Sequence, residues 1–121
     1  MSKLSENFDS SEFKCHCCGE LPVGGMDSRL IKLLQSIREK VGTSITIMSG
    51  YRCENHNQKV GGAKHSQHVM GTAADIKIAG MDAGEVQLYL TLKFNQEIGG
   101  MGCYKTFTHI DVRSNIVRWT G

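Results

Sequence analysis

From Asp27 onward, apolar residues recur at helical spacing: Leu30, Ile31, Leu33, Leu34, Ile37 and Val41 form one stripe. Asp27 is placed to cap the first turn and Gly42 follows the last, so the pattern predicts a helix bounded at both ends. Residues 44 to 48, Ser-Ile-Thr-Ile-Met, are rich in β-branched side chains and run into Ser49-Gly50, which predicts a strand entering a turn. A second helix is expected from Asp82. Glu85 follows three residues later as a capping partner, and Val86, Tyr89, Leu90 and Phe94 continue along one face. In Ala73-Ala74-Asp75-Ile76-Lys77-Ile78 the period is two, so Ala74, Ile76 and Ile78 share the core face and Asp75 and Lys77 the other. Residues 107 to 113 repeat the device, with Ile110 and Val112 inward and His109, Asp111 and Arg113 together on the opposite face. Two strands thus offer ionisable groups to what can be one shared surface. Ser114-Asn115 reads as a turn into a last strand at 116 to 119, with Trp119 covering an edge of the core.

Residues 1–25 are polar and hold the only proline, Pro22, with Gly24 and Gly25 behind it. They read as an extended or loosely turned lead-in to a domain of residues 26–121. A chain of 121 residues, 40% hydrophobic and 21% charged, suits one compact domain with a conventional core. Its formal charge of +2 is too small for a nucleic-acid footprint, so no nucleic-acid partner is expected. No apolar run reaches the roughly 20 residues needed to cross a bilayer. The N-terminal residues lack the apolar stretch of a signal peptide, so cytoplasmic synthesis without membrane insertion is expected, with another exit route for any extracellular target. A monomer is the expected state. Five cysteines leave at least one thiol without an intramolecular partner, and Cys15, Cys17 and Cys18 crowd together. Lacking a second Cys-x-x-Cys pair, the cluster is a poor match to zinc ribbons and reads first as buried or inert thiols rather than a metal site.

The chemistry concentrates in Ser49-Gly50-Tyr51-Arg52, in the stretch from Gly61 to Asp75, and in His109-Ile110-Asp111. A loop folding back into a strand can bring His68 to Asp75, with Gly71 and Ala73 permitting the close approach. His109 from a later strand then completes two imidazoles and one carboxylate, a set that leaves the fourth tetrahedral position of Zn²⁺ open, as in catalytic sites.

The string Ser66-x-His68-x-x-Gly71-x-Ala73-x-Asp75, with Ser49-Gly50-Tyr51-Arg52 before it and His109-x-Asp111 after it, resembles the zinc D-Ala-D-Ala carboxypeptidases. This is peptidase family M15, whose fold is shared with the hedgehog signalling domain. The resemblance spans roughly residues 26 to 113, and Phe13-Lys14-Cys15 is similar to the start of the short phage and prophage branch. It implies a single-domain α+β fold, with a small antiparallel sheet carrying the site and helices packed on its other face. It implies that His68, Asp75 and His109 ligate Zn²⁺ and that Arg52 lies near the substrate carboxylate or scissile carbonyl, where a guanidinium can grip a carboxylate through two hydrogen bonds. The activity implied is hydrolysis of peptidoglycan stem peptides, as a D-Ala-D-Ala carboxypeptidase or an endopeptidase, in a phage lysis enzyme or a virion-borne part.

The sequence departs from the family where a proton shuttle is expected: Thr106 stands three positions before His109, and Tyr104 two before that. Asp111 is the local substitute, either as base or as a group that orients a ligand imidazole. Tyr104 is a candidate donor to the developing oxyanion, and packing is its other reading. Glu97 is a remoter candidate. His65 reads as a polar loop residue, and His16 and His56 have no matched partner. The missing base also motivates an alternative, a zinc-containing module that binds wall peptide or a protein without cleaving it.

Overall fold

The computed structural model describes residues 2–62 and 66–121. The chain opens with a small antiparallel pair, β1 (Lys3–Ser5) and β2 (Phe8–Asp9), followed by a 3-10 helix at Ser10–Phe13. Helix α1 (Ser28–Val41), strand β3 (Ile45–Ser49) and a short helix α2 (Glu54–Lys59) come next. Strand β4 (Ala73–Ile78), helix α3 (Ala83–Phe94) and strands β5 (Gly100–Cys103), β6 (Thr108–Asp111) and β7 (Val117–Thr120) complete the domain. The class is α+β.

Local chemistry sets the helix ends as expected. Asp27 accepts from the Arg29 amide to cap α1, and Gly42 closes it in the left-handed region at φ 76°. Asp82 and Glu85 exchange side-chain to backbone hydrogen bonds as a capping box on α3.

The large sheet has the order β3-β4-β6-β5-β7. Cross-strand partners share a face, so Ile45 and Ile47 lie beside Ile78 and Ile76, and Ala74 and Met101 beside Ile110. Apart from Ile47, which is half-buried and packs against them, these residues join Leu30, Leu34 and Ile37 of α1 and Val86, Leu90 and Phe94 of α3 in one buried cluster. Both long helices therefore cover the same face, and each fully buried Leu or Ile adds about 1.5–3 kcal/mol. The other face is left for the site.

Three features depart from the sequence reading. The sheet is mixed, because β5 and β7 run parallel. Strand β6 returns to the start of β5, with Ile110 beside Met101, and β7 begins beside Gly100, so the short connection delivers it in the direction of β5. The first 25 residues are more structured than a loose lead-in: Phe8 and Phe13 are buried in the core, 2% and 0% exposed, with ring centroids 6.2 Å apart. Asp9 and Glu12 form a capping box around the 3-10 helix, a signal present in the spacing Asp9-x-x-Glu12. Helix α2 is the third addition, begun by Cys53, whose sulfur accepts from the His56 amide.

Candidate active site

Opposite the helices, the register lines up one row of side chains across the sheet. Ser49 faces Asp75, Asp75 faces His109, His109 faces Gly102, and Gly102 faces Trp119. The strand period puts Asp75 and His109 on this face, and the register sets them side by side. His68 arrives from the turn before β4. Its carbonyl accepts from the amides of Arg52 (3.2 Å) and Gly71 (3.3 Å). Gly71 makes the return at φ 74°, where a Cβ would stand 2.9 Å from Pro22 Cγ, so glycine is required on both conformational and steric grounds.

His68, Asp75 and His109 are all buried, 2%, 5% and 7% exposed. Asp75 Oδ1 lies 3.1 Å from His68 Nε2 and 3.1 Å from His109 Nδ1, and the two ring nitrogens are 3.3 Å apart. The far nitrogens have fixed partners: His68 Nδ1 donates to the Gly50 carbonyl at 2.7 Å, and His109 Nε2 donates to Asp111 Oδ2 at 2.8 Å. Because both acceptors lack protons, the neutral rings must turn their lone pairs toward Asp75. Three lone pairs then meet at one point, an arrangement that repels unless a cation sits among them. The edges fit as well, since tetrahedral ligands at zinc–nitrogen and zinc–oxygen bond lengths stand about 3.3 Å apart. Without a metal, protons take up part of that demand. Burial pulls the His109 imidazole down, but the bonds to Asp111 and Asp75 outweigh it and raise its pKa above the usual value. Burial pushes the Asp75 carboxyl up, yet the bonds from His109 and His68 hold it below the carboxylate range.

Arg52 approaches the second oxygen of Asp75, with Nη2 at 3.2 Å from Oδ2, while Nε donates to Ser49 Oγ and Nη1 to Asn57 Oδ1. Asp111 is fully buried. Its Oδ1 accepts from the amides of Gly100 (2.8 Å) and Arg113 (3.1 Å) and from Arg113 Nε (2.9 Å), and its Oδ2 accepts from His109 and from Arg113 Nη2 (2.7 Å). Burial pushes its carboxyl up, and these bonds, His109 first, bring it well below the usual range. Tyr104 stacks on Phe107 with centroids 4.5 Å apart, and its hydroxyl accepts from Trp119 Nε1 at 3.0 Å, leaving its own proton to donate.

These groups open onto a cleft of about 540 Å³, lined by Arg52, Ser66, Gln67, the His68–Asp75–His109 cluster, Tyr104, Arg113 and Trp119. Glu97 is exposed in the turn after α3 and is not among the lining residues. His65 lies outside the described residues.

Trp119 is the residue that sequence reasoning missed here. Its ring lies 5.0 Å from that of His109, with the Arg113 guanidinium 5.3 Å from the indole centroid, so it walls the site instead of capping the core edge. Gly102 makes room for it: a Cβ there would come within 2.6 Å of the indole. Neither signal is readable before the parallel pairing of β7 is known. Among the cysteines, Cys53 stands within ligand distance of Cys15 and Cys18, and Cys103 packs against the core.

The chain matches the family described as Peptidase M15 over residues 6–111. It is also 33% identical over 105 residues to the probable peptidoglycan L,D-endopeptidase MepK of Haemophilus influenzae, a match covering 79% of this chain and 55% of that protein. The chain therefore spans about half the length of this relative.

Proposed function

Since the chain belongs to the Peptidase M15 family, we propose that it is a zinc-dependent hydrolase of peptide bonds in peptidoglycan. The observation that carries the zinc assignment is the convergence of three lone-pair donors, two imidazoles and one carboxylate, with edges of 3.1 to 3.3 Å. His68, Asp75 and His109 are the residues that would hold the ion. Zinc bound there would lower the pKa of a coordinated water towards about 7 and polarise the scissile carbonyl.

The chain's own residues supply the rest. Asp111, with all of its bonds turned to His109, Arg113 and Gly100, is a positioning residue: it fixes the His109 tautomer so that Nδ1 keeps its lone pair. The Gly50 carbonyl does the same for His68. Arg52 neutralises the outer oxygen of Asp75 and offers its remaining N–H groups to a carboxylate or carbonyl of the substrate. Tyr104 donates its phenolic proton toward charge developing on the substrate carbonyl oxygen. The activity in the relative's name, a probable L,D-endopeptidase of peptidoglycan, supports cleavage within the stem peptide over removal of a terminal D-Ala. Wall degradation by a phage or prophage is the context suggested by Phe13-Lys14-Cys15.

A second reading rests on one observation: Asp75 is the only carboxylate among the described residues lining the cleft. With no other acid to shuttle protons, the domain would be a zinc-containing binder of wall peptide. Mass spectrometry of a defined pentapeptide-bearing muropeptide, incubated with the purified protein with and without a chelator, separates the two. Chelator-sensitive cleavage supports the hydrolase and identifies its bond; an intact substrate with bound zinc would establish the binder.

A further inference from the structure

The N-terminal segment and the loop that carries Arg52 meet in a second cluster of potential ligands. The sulfurs of Cys15, Cys18 and Cys53 lie within 4.8 Å of one another. A chain separation of 38 residues joins Cys53 to Cys15, so the grouping is made by the fold rather than by local sequence. All three cysteines are free thiols.

The backbone around them is arranged for thiolates. Cys15 Sγ accepts from the amide of Cys53 at 3.4 Å and is also approached by the amides of Cys18 and Cys17. The Glu20 amide is directed at the Cys18 sulfur, and the His56 amide donates to Cys53 Sγ at 3.4 Å. Each sulfur therefore has at least one N–H donor, the kind of support that a thiolate takes. The turn itself is tight. Gly19 sits at φ 71°, its amide donates to the Cys15 carbonyl at 2.8 Å, and the Cys15 amide donates to Glu20 O at 2.9 Å. A Cys-x-x-Cys-Gly segment folded in this way turns both sulfurs toward Cys53.

We propose that Cys15, Cys18 and Cys53 form a second metal site, for Zn²⁺ or another thiophilic divalent ion, that clasps the N-terminal segment to the Arg52 loop. Sulfurs at tetrahedral zinc stand about 3.8 Å apart, within the spread found here. His16 and His56, with ring centroids 6.2 Å apart, lie on the same two segments but outside the group of three sulfurs, which leaves the fourth position of a tetrahedral ion to a further ligand. The clasp acts on the cleft through Arg52. The Tyr51 amide donates to Phe13 O at 2.9 Å and the Cys53 amide to Cys15 Sγ, so the residue between them is pinned from both sides. Nothing in the proposal depends on what the cleft hydrolyses.

Cobalt(II) loading of the reduced, full-length chain tests the site. The His68–Asp75–His109 cluster contains no sulfur, so thiolate-to-cobalt charge-transfer absorption in the near ultraviolet reports only on the cysteines. The band is expected in the wild type, in H109A and in C17S, and is expected to be lost in C15S and C53S. Absence of the band from the wild type, or an undiminished band in C53S, would overturn the proposal. Should the serine variants fail to fold, alkylation of the zinc-loaded wild type gives an independent reading. Cys18 and Cys53 are expected to react at least about tenfold more slowly before chelation than after it, while exposed Cys17 reacts equally in both. Equal rates for Cys18 and Cys53 with and without chelator would contradict the site.

Discussion

His68, Asp75 and His109 converge from a turn and two paired strands, whereas Cys15, Cys18 and Cys53 converge from two loops that touch over a separation of 38 residues. The first group is fixed by sheet register: Asp75 sits opposite His109, and the hydrogen bonds of Gly50 and Asp111 leave only inward-facing lone pairs. The second group relies on backbone amides aimed at sulfur, with a left-handed glycine closing the turn. Borderline N and O donors with one position to spare suit a site that does chemistry, and soft sulfur donors suit one that only holds chain segments together. The contrast teaches that a rigid sheet can present a reactive centre while the loops above it need a clasp of their own.

The largest effect should come from breaking the sheet-borne cluster. Replacing His109 with Ala is expected to lower hydrolysis by more than about a thousandfold, a loss of about 4 kcal/mol in transition-state stabilisation. Circular dichroism should stay unchanged and the cobalt–thiolate band should persist. Steady-state kinetics check the first outcome, and activity near the wild-type level would separate this cluster from catalysis.

The next effect belongs to the segment that the loops hold down. Phe13→Ala should cost about 3–4 kcal/mol of folding stability, because the ring is fully buried and only part of the cavity can collapse. Denaturant unfolding of the metal-loaded protein measures it, and a loss below about 1 kcal/mol would mean that residues 1–25 are not integral to the core.

Asp111→Asn sharpens the role of the buried carboxylate. It should weaken zinc binding at the histidine site by about 10–100-fold, measured by competition with a chromogenic chelator, and metal excess should restore much of the activity. An unchanged affinity with abolished activity would instead make Asp111 a proton carrier.

Chelation gives the smallest and most diagnostic contrast. Removing metal should lower the thermal midpoint of the wild type further than that of C53S, since only the former loses a tie between segments. Equal shifts would deny the clasp.

Part of this was legible in the sequence and part was not. The stripe from Leu30 to Val41, the Asp82 to Glu85 box and the alternation around Asp75 and His109 are local patterns, and local patterns survive translation into structure. The closeness of His68 to Asp75 was readable as well, because a seven-residue gap with Gly71 in it can fold back. Trp119 beside His109 was not, since its position depends on β7 adding in parallel outside β5, a long-range choice that no periodicity records. Cys53 beside Cys15 was hidden for the same reason, although Asp9 and Glu12 did carry an overlooked signal that the first residues are ordered.

The central claim is that three facing lone pairs mark a metal centre. Anomalous diffraction at the zinc edge, from crystals of the protein loaded with zinc, tests it at the atoms concerned. A peak about 2 Å from His68 Nε2, His109 Nδ1 and an oxygen of Asp75 is the expected result. No peak there, with the three side chains ordered around a water or a shared proton, would contradict it.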